Sequence, residues 1–148
     1  MLYHRRYPIE FNHCDPAGIV FYPRYFEMTN HVCENFFREA VGMSYAAMMA
    51  EGAGVPAVRI ETEFRAPSRL GDVLDVTLGV VRLGGSSVTV QVVAMGAGQL
   101  RLTAVITLVW MKAVAGVPTP QRWPDAMRAR LSAFGDAGSG VEFGVGAA

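Results

Sequence analysis

The sequence predicts an α+β fold: a curved antiparallel sheet of five strands wrapped around one long helix. Three observations predict it. One long stretch repeats apolar residues at intervals of three and four, four later stretches alternate with period two, and a further strand-like stretch precedes the helix. A sheet with one apolar face and a helix with one apolar stripe bury each other most economically when the sheet curls around the helix. The chain has 148 residues, the length of one domain. That domain is expected over residues 1–134, with a flexible Gly/Ala-rich tail over 135–148.

Residues 3–11 mix aromatic, β-branched and charged side chains and read as the first strand, with Pro8 marking an edge or irregular end. Asn12-His13-Cys14-Asp15-Pro16-Ala17-Gly18 is dense in turn formers and reads as a loop. Ile19 to Tyr22 is a short apolar lead into Pro23, which suits the first position of a helix because its missing N–H costs nothing there. Apolar residues then recur at Tyr25, Phe26, Val32, Cys33, Phe36, Phe37, Ala40 and Val41, and Gly42 stops the helix. Phe26, Phe36 and Phe37 are expected in the core, and Glu34 with Arg38 as a surface pair. Thr29 and Asn30 interrupt the apolar stripe. A short helix capped by Ser44 follows to Glu51, and Gly52-Ala53-Gly54 breaks it.

In the next strand Val58, Ile60, Thr62, Phe64 and Ala66 share a face expected to be buried, opposite Arg59, Glu61, Glu63 and Arg65. The runs Leu74 to Val80, Val88 to Ala94 and Leu100 to Trp110 repeat the alternation. The last also carries Val105, Val109 and Met111 on its other face, so it is expected to be central in the sheet or covered on both sides. Gly84-Gly85-Ser86 and Gly96-Ala97-Gly98 supply hairpin turns. After Pro118, Pro120 and Pro124 a short helix is expected over about residues 124–134.

Composition removes several functions. The 13 basic and 13 acidic residues cancel, so no charge excess grips nucleic acid or an anionic membrane. No apolar run approaches the roughly 20 residues that span a bilayer. Cys14 and Cys33 read as thiols of a reducing cytoplasm, not as a disulfide framework. Only 18% of the residues are charged, against a usual ~25%, which fits surface buried in an oligomer.

Chemistry concentrates at Asp15. A carboxylate in a Pro/Gly loop shortly before a long helix stands near free N–H groups and a partial positive charge. Such donors polarise a carbonyl and hold an oxyanion, while the carboxylate serves as nucleophile or as general base for water. Together these suffice for acyl transfer to water without a metal or cofactor. On the residues alone an ordinary Asp-Pro-Ala-Gly turn is the more common reading of this stretch. His13 is a second acid/base candidate, although loop histidines are more often solvated. Cys14 lacks the electropositive surroundings of a cysteine nucleophile, and adjacent His13, Cys14 and Asp15 do not make a metal site.

The stretch Cys14-Asp15-Pro16-Ala17-Gly18-Ile19-Val20-Phe21-Tyr22-Pro23-Arg24-Tyr25 resembles the signature of the 4-hydroxybenzoyl-CoA thioesterase family of hot-dog proteins. Val55-Pro56-Ala57-Val58, Phe64, Leu70-Gly71-Asp72-Val73-Leu74 and Gly84-Gly85-Ser86-Ser87-Val88-Thr89 extend the resemblance over roughly residues 3–125. It implies the hot-dog fold and an acyl-CoA thioesterase working as a homodimer or homotetramer with sites at the subunit interface. The substrate is an acyl-CoA or related pantetheine thioester, with coenzyme A a part of the substrate and no separate cofactor. Asp15 then matches the catalytic aspartate, and Tyr22 the residue whose backbone N–H bonds the thioester oxygen. Gly18, Pro23, Tyr25, Asn30 and Arg82 are the implied substrate-binding positions.

Two positions depart from the 4-hydroxybenzoyl enzymes. Their acidic side chain on the central helix, which receives the substrate phenol, is matched by Asn30. Their basic cluster after the third strand is matched by a glycine-rich turn, with Arg82 the nearest cation. The first argues against a 4-hydroxybenzoyl substrate and not against hydrolysis. Two rival functions are a noncatalytic thioester-binding protein on the same fold and a dehydratase or hydratase. The latter needs a histidine paired with an acid, and no such motif surrounds His4, His13 or His31.

Overall fold

The computed structural model describes residues 1–135. From residue 136 onward the expected tail lies outside the described residues. Strand β1 (Tyr3–Pro8) is followed by a single 3₁₀ turn (Phe11–His13) and the long helix α1 (Pro23–Phe36), which continues into a π-helical turn (Phe37–Val41). Helix α2 (Tyr45–Ala50) and the two-residue strand β2 (Ala53–Gly54) lead to β3 (Ala57–Phe64), β4 (Val73–Leu83), β5 (Ser87–Gly96) and β6 (Gln99–Val109). A small hairpin, β7 (Met111–Val114) and β8 (Val117–Pro120), precedes α3 (Asp125–Ser132).

The main sheet is antiparallel, in the order β1-β4-β5-β6-β3, and it packs on α1. This is the expected five-stranded hot-dog architecture. Register aligns the inner faces in rows, such as Tyr3, Leu78, Val92, Ala104 and Thr62 across all five strands. Leu74, Leu78, Val88, Val92, Leu102 and Ala104 are buried there. From the helix, Tyr25, Met28, Val32, Cys33 and Phe36 face them. Where α1 widens into its π turn, the consecutive Phe36 and Phe37 are both fully buried. Phe36 packs against Tyr3 and Phe134, and Phe37 against Tyr45 and Trp123. Gly42, at φ +84°, ends the helix in a left-handed conformation that favours glycine.

The hairpins follow their turn chemistry. Ala97 and Gly98, both at positive φ, close β5 onto β6 in a two-residue loop, the geometry that matches strand twist. Trp123 closes the end of the barrel-like core. It stacks on Trp110 at 5.8 Å and donates its indole N–H to the Ser87 carbonyl at 3.0 Å. The Ser44 hydroxyl accepts from the Ala47 amide, capping α2 as expected.

Five expectations need correction. The first strand ends at Pro8, and Phe11 is exposed in the 3₁₀ turn. Strand β3 is an edge, and its supposedly buried residues Val58, Ile60 and Phe64 are exposed because the described residues cover that end of the inner face only in part, through the rings of Tyr22, Tyr25 and Phe26 against Phe64. Phe26 likewise sits partly in solvent on the same side. Arg38 binds Glu39 and Asn35, its near neighbours, instead of Glu34. Finally, Gly52-Ala53-Gly54 is more than a breaker, since β2 joins β7 and β8 in a second three-stranded sheet.

Candidate active site

Residues 13–21 form a tight hairpin. Cys14 bridges Val20, the Phe21 amide donates to the His13 carbonyl at 2.9 Å, and the Asp15 amide donates to the Ile19 carbonyl at 3.0 Å. Asp15 begins the turn at the tip, and Tyr22 leaves from the base to start α1. Gly18, at φ +77°, closes the turn by donating its amide to the Asp15 carbonyl at 2.9 Å.

Half-buried Asp15 holds its carboxylate in a defined orientation. Its Oδ1 accepts the Ala17 amide at 2.8 Å, while Oδ2 has no hydrogen-bond partner among the described residues. The donor at the helix start is also defined. Phe21 N–H is taken by His13, Arg24 N–H donates to the Phe21 carbonyl at 2.9 Å, and Pro23 has no N–H. The Tyr22 amide is therefore the donor left without an acceptor among the described residues.

A loop over residues 66–72 backs this hairpin. The Val20 amide donates to the Ser68 carbonyl at 2.9 Å, and Ile19 bridges Arg69. Asp72 accepts the Arg69 amide at 2.9 Å and the Arg101 guanidinium at 2.9 Å. The amide, and then the guanidinium, hold its carboxyl below the usual carboxylate range.

Farther along the helix lies an apolar cavity of about 330 Å³ between α1, α2, residues 53–57 and the inner sheet face. Phe26, Thr29, Asn30 and Cys33 contribute from α1, Tyr45 and Met48 from α2, and Ile60, Ile106 and Leu108 from the sheet. Its few polar groups are the side chains of Thr29, Asn30, Cys33 and Tyr45. The Thr29 hydroxyl is already bonded to the Phe26 carbonyl at 3.2 Å. Burial pushes the Cys33 thiol up to about 12 and raises the Tyr45 phenol as well, so both stay neutral at physiological pH.

The structure thus brings Asp15, Gly18, Tyr22 and Pro23 into one hairpin-to-helix unit and sets Asn30 on the cavity wall. Tyr25 is in the core, its ring 5.7 Å from that of Phe64, and it is absent from the cavity wall. Arg82 is exposed near the end of β4. His13 is engaged locally, its Nδ1 accepting the Glu10 amide at 2.9 Å. Sequence reasoning missed the far walls, Tyr45, Met48 and residues 53–57, and it missed Arg101. An isolated arginine among the alternating residues of β6 was the one available signal of the latter. Arg128, which donates to the Gly84 carbonyl at 2.7 Å, was also missed; it braces the glycine turn from α3.

This is a hot-dog fold with a carboxylate loop at the start of its central helix, the class of the hot-dog thioesterases. Residues 9–131 match the family model described as the thioesterase-like superfamily, and the chain belongs to that family of thioester hydrolases. A comparison with curated proteins finds no match. Among solved structures, the dynemicin thioesterase is similar with a TM-score of 0.84 and 20% identity, over 91% of this chain and 98% of that one. A gentisyl-coenzyme A thioesterase is similar at 0.75 and 24% identity, over 88% and 99%. A 1,4-dihydroxy-2-naphthoyl-CoA thioesterase from Synechocystis is similar at 0.79 and 18% identity, over 89% and 96%. At these identities the likeness carries the fold.

Proposed function

We propose that the protein is an acyl-CoA thioesterase: thioester and water give a carboxylic acid and free CoA. One observation carries the reading. Among the described residues, a carboxylate with one oxygen tied and one free shares a hairpin with the unengaged amide at the start of the central helix. The Tyr22 amide donates to the developing oxyanion, aided by the positive end of α1. Asp15 acts by one of two routes with the same products. It attacks the carbonyl, expelling the thiolate and leaving an anhydride that water opens, or it takes a proton from the water that attacks.

The cavity beside Asn30 is proposed to receive the acyl group. Its volume is at the small end of ligand pockets, about 300–1,000 Å³, which suits a single aromatic ring or a short chain. The gentisyl and dihydroxynaphthoyl enzymes among the structural neighbours support an aromatic acyl group. Asn30 offers that group an uncharged hydrogen bond, and Arg82 is the proposed cation for the CoA phosphates. The free thiols of Cys14 and Cys33 support a cytoplasmic setting, and no described helix is long and apolar enough to cross a membrane.

A homodimer completes the proposal. The β1 edge is blunted by Arg6 and Pro8, a common protection of free edges, whereas the β3 edge carries exposed Val58, Ile60 and Phe64. Two copies joined along β3 bury those residues and close the side of the cavity bounded by Ile60. A thiol-release assay over aryl- and alkyl-CoA substrates tests the function. Release from at least one aryl- or short-chain thioester is expected; binding without release across the panel contradicts hydrolysis and favours a noncatalytic binding protein.

A further inference from the structure

Arg101 is the one charged residue buried among the described residues, and neither the core nor the cavity uses it. It lies on the outer side of β6. One guanidinium nitrogen, Nη1, donates to the Pro67 carbonyl at 2.9 Å, the Ser68 hydroxyl at 3.2 Å and Asp72 Oδ2 at 2.9 Å. The other, Nη2, donates to the Gly96 carbonyl at 3.1 Å. The room is made for it: a Cβ at position 96 would stand 2.9 Å from the guanidinium carbon.

The three acceptors of Nη1, on Pro67, Ser68 and Asp72, all lie in the loop that backs the Asp15 hairpin, while Nη2 anchors the guanidinium to the end of β5. The carbonyl of Ser68, the residue whose hydroxyl is gripped, receives the Val20 amide, and Arg69 bridges Ile19. Asp72, gripped at its carboxylate, receives the Ile9 amide on its carbonyl at 2.7 Å. Ile19 and Val20 are the arm of the hairpin between Asp15 and Tyr22. Their other partners are Asp15 and Cys14 themselves. The arm is therefore clamped between the carboxylate turn on one side and the Arg101-held loop on the other.

We propose that Arg101 is a positioning residue for thioester hydrolysis, holding the Ile19–Val20 arm so that the Asp15 carboxylate and the Tyr22 amide keep their mutual placement. The proposal rests on the assignment of Asp15 and Tyr22. Reacting groups displaced by about 1 Å cost about a hundredfold in rate, so a slackened clamp shows in turnover before it shows in binding. Arg101 is absent from the wall of the acyl cavity, so its replacement is expected to leave that lining in place.

The experiment is steady-state kinetics on Arg101→Gln and Arg101→Lys, in the wild-type and Asp15→Asn backgrounds, well below each melting temperature. With the best thioester of the panel, Arg101→Gln is expected to lower kcat about tenfold or more with KM within about twofold. Arg101→Lys, which keeps the charge, is expected to recover part of the loss. In the Asp15→Asn background the Arg101→Gln effect is expected to shrink to about twofold or less, because groups acting as a unit are not additive. A kcat unchanged while only the melting temperature falls overturns the proposal, as does the same fold-loss in both backgrounds. If Arg101→Gln does not fold, Gly96→Ala displaces the guanidinium with every charge retained and carries the same kcat-against-KM expectation. Normal activity of Asp15→Asn itself would instead overturn the assignment of Asp15.

Discussion

Replacing Ile60 by glutamate tests the proposed joining of two chains along β3. Val58, Ile60 and Phe64 are 56%, 46% and 49% exposed, although register places Ile60 opposite the buried Ile106. Full burial of such a side chain contributes about 1.5–3 kcal/mol, so the exposed half of Ile60 leaves about 0.75–1.5 kcal/mol unrealised in each chain. A twofold contact counts that twice, giving about 1.5–3 kcal/mol, to which the glutamate adds the cost of a desolvated charge. At about 1.4 kcal/mol per factor of ten, the dissociation constant rises by about 10–100-fold or more. Sedimentation over a micromolar concentration series reads this directly. The wild type should sediment as two or four copies of a 16.0 kDa chain, and Ile60→Glu should dissociate at far higher concentration with an unchanged far-ultraviolet spectrum. A monomeric wild type, or a variant of unaltered mass, refutes the reasoning.

Asn30→Asp places a carboxylate on the cavity wall. A charged hydrogen bond to a buried hydroxyl contributes about 1.5–3 kcal/mol, so the ranking of acyl groups by kcat/KM should move more than tenfold toward phenolic ones. An unchanged ranking removes Asn30 from the acyl site. A second prediction concerns acid. Asp72 is held down by the Arg69 amide and Arg101, and Glu39 by the Tyr3 hydroxyl and then Arg5. Folded values below the ordinary carboxylate range of about 4 mean that this stability is present above pH ~4 and lost as the pH falls through the folded values. Urea melts should therefore weaken below about pH 4, with a shallower decline for Asp72→Asn. An identical acid slope in that variant excludes the ion pair as a contributor.

Local pattern made most of the fold legible. Pro23, Gly42 and the apolar spacing between them bound the helix, and strict alternation reveals β4, β5 and β6. The β7–β8 hairpin escaped because Pro118 and Pro120 argue against a strand, yet both are paired with β7 residues in a small edge sheet. Its turn also sets Ala115, not glycine, at φ +50°. Alternation in β3 shows which residues share a face and cannot show how much of that face the rest of the described chain covers. The candidate loop from Asp15 to Tyr22 is contiguous, so its motif was readable. The cavity is assembled from α1, α2 and three distant strand segments, and Arg101 meets Asp72 from another strand. Neither leaves a local signature.

The central claim stands on Asp15, and Asp15→Asn measures it. The amide keeps the size and can still accept the Ala17 N–H at Oδ1, so the turn should survive. The nucleophile and the base are lost, while the Tyr22 amide remains. General-base catalysis contributes about 10²–10⁴-fold, and a group acting only in the transition state lowers kcat and kcat/KM together. The account predicts a folded variant with unchanged assembly and thioester binding whose turnover falls at least about a hundredfold. Turnover within a few-fold of the wild type would contradict it and leave Asp15 as a residue of the turn.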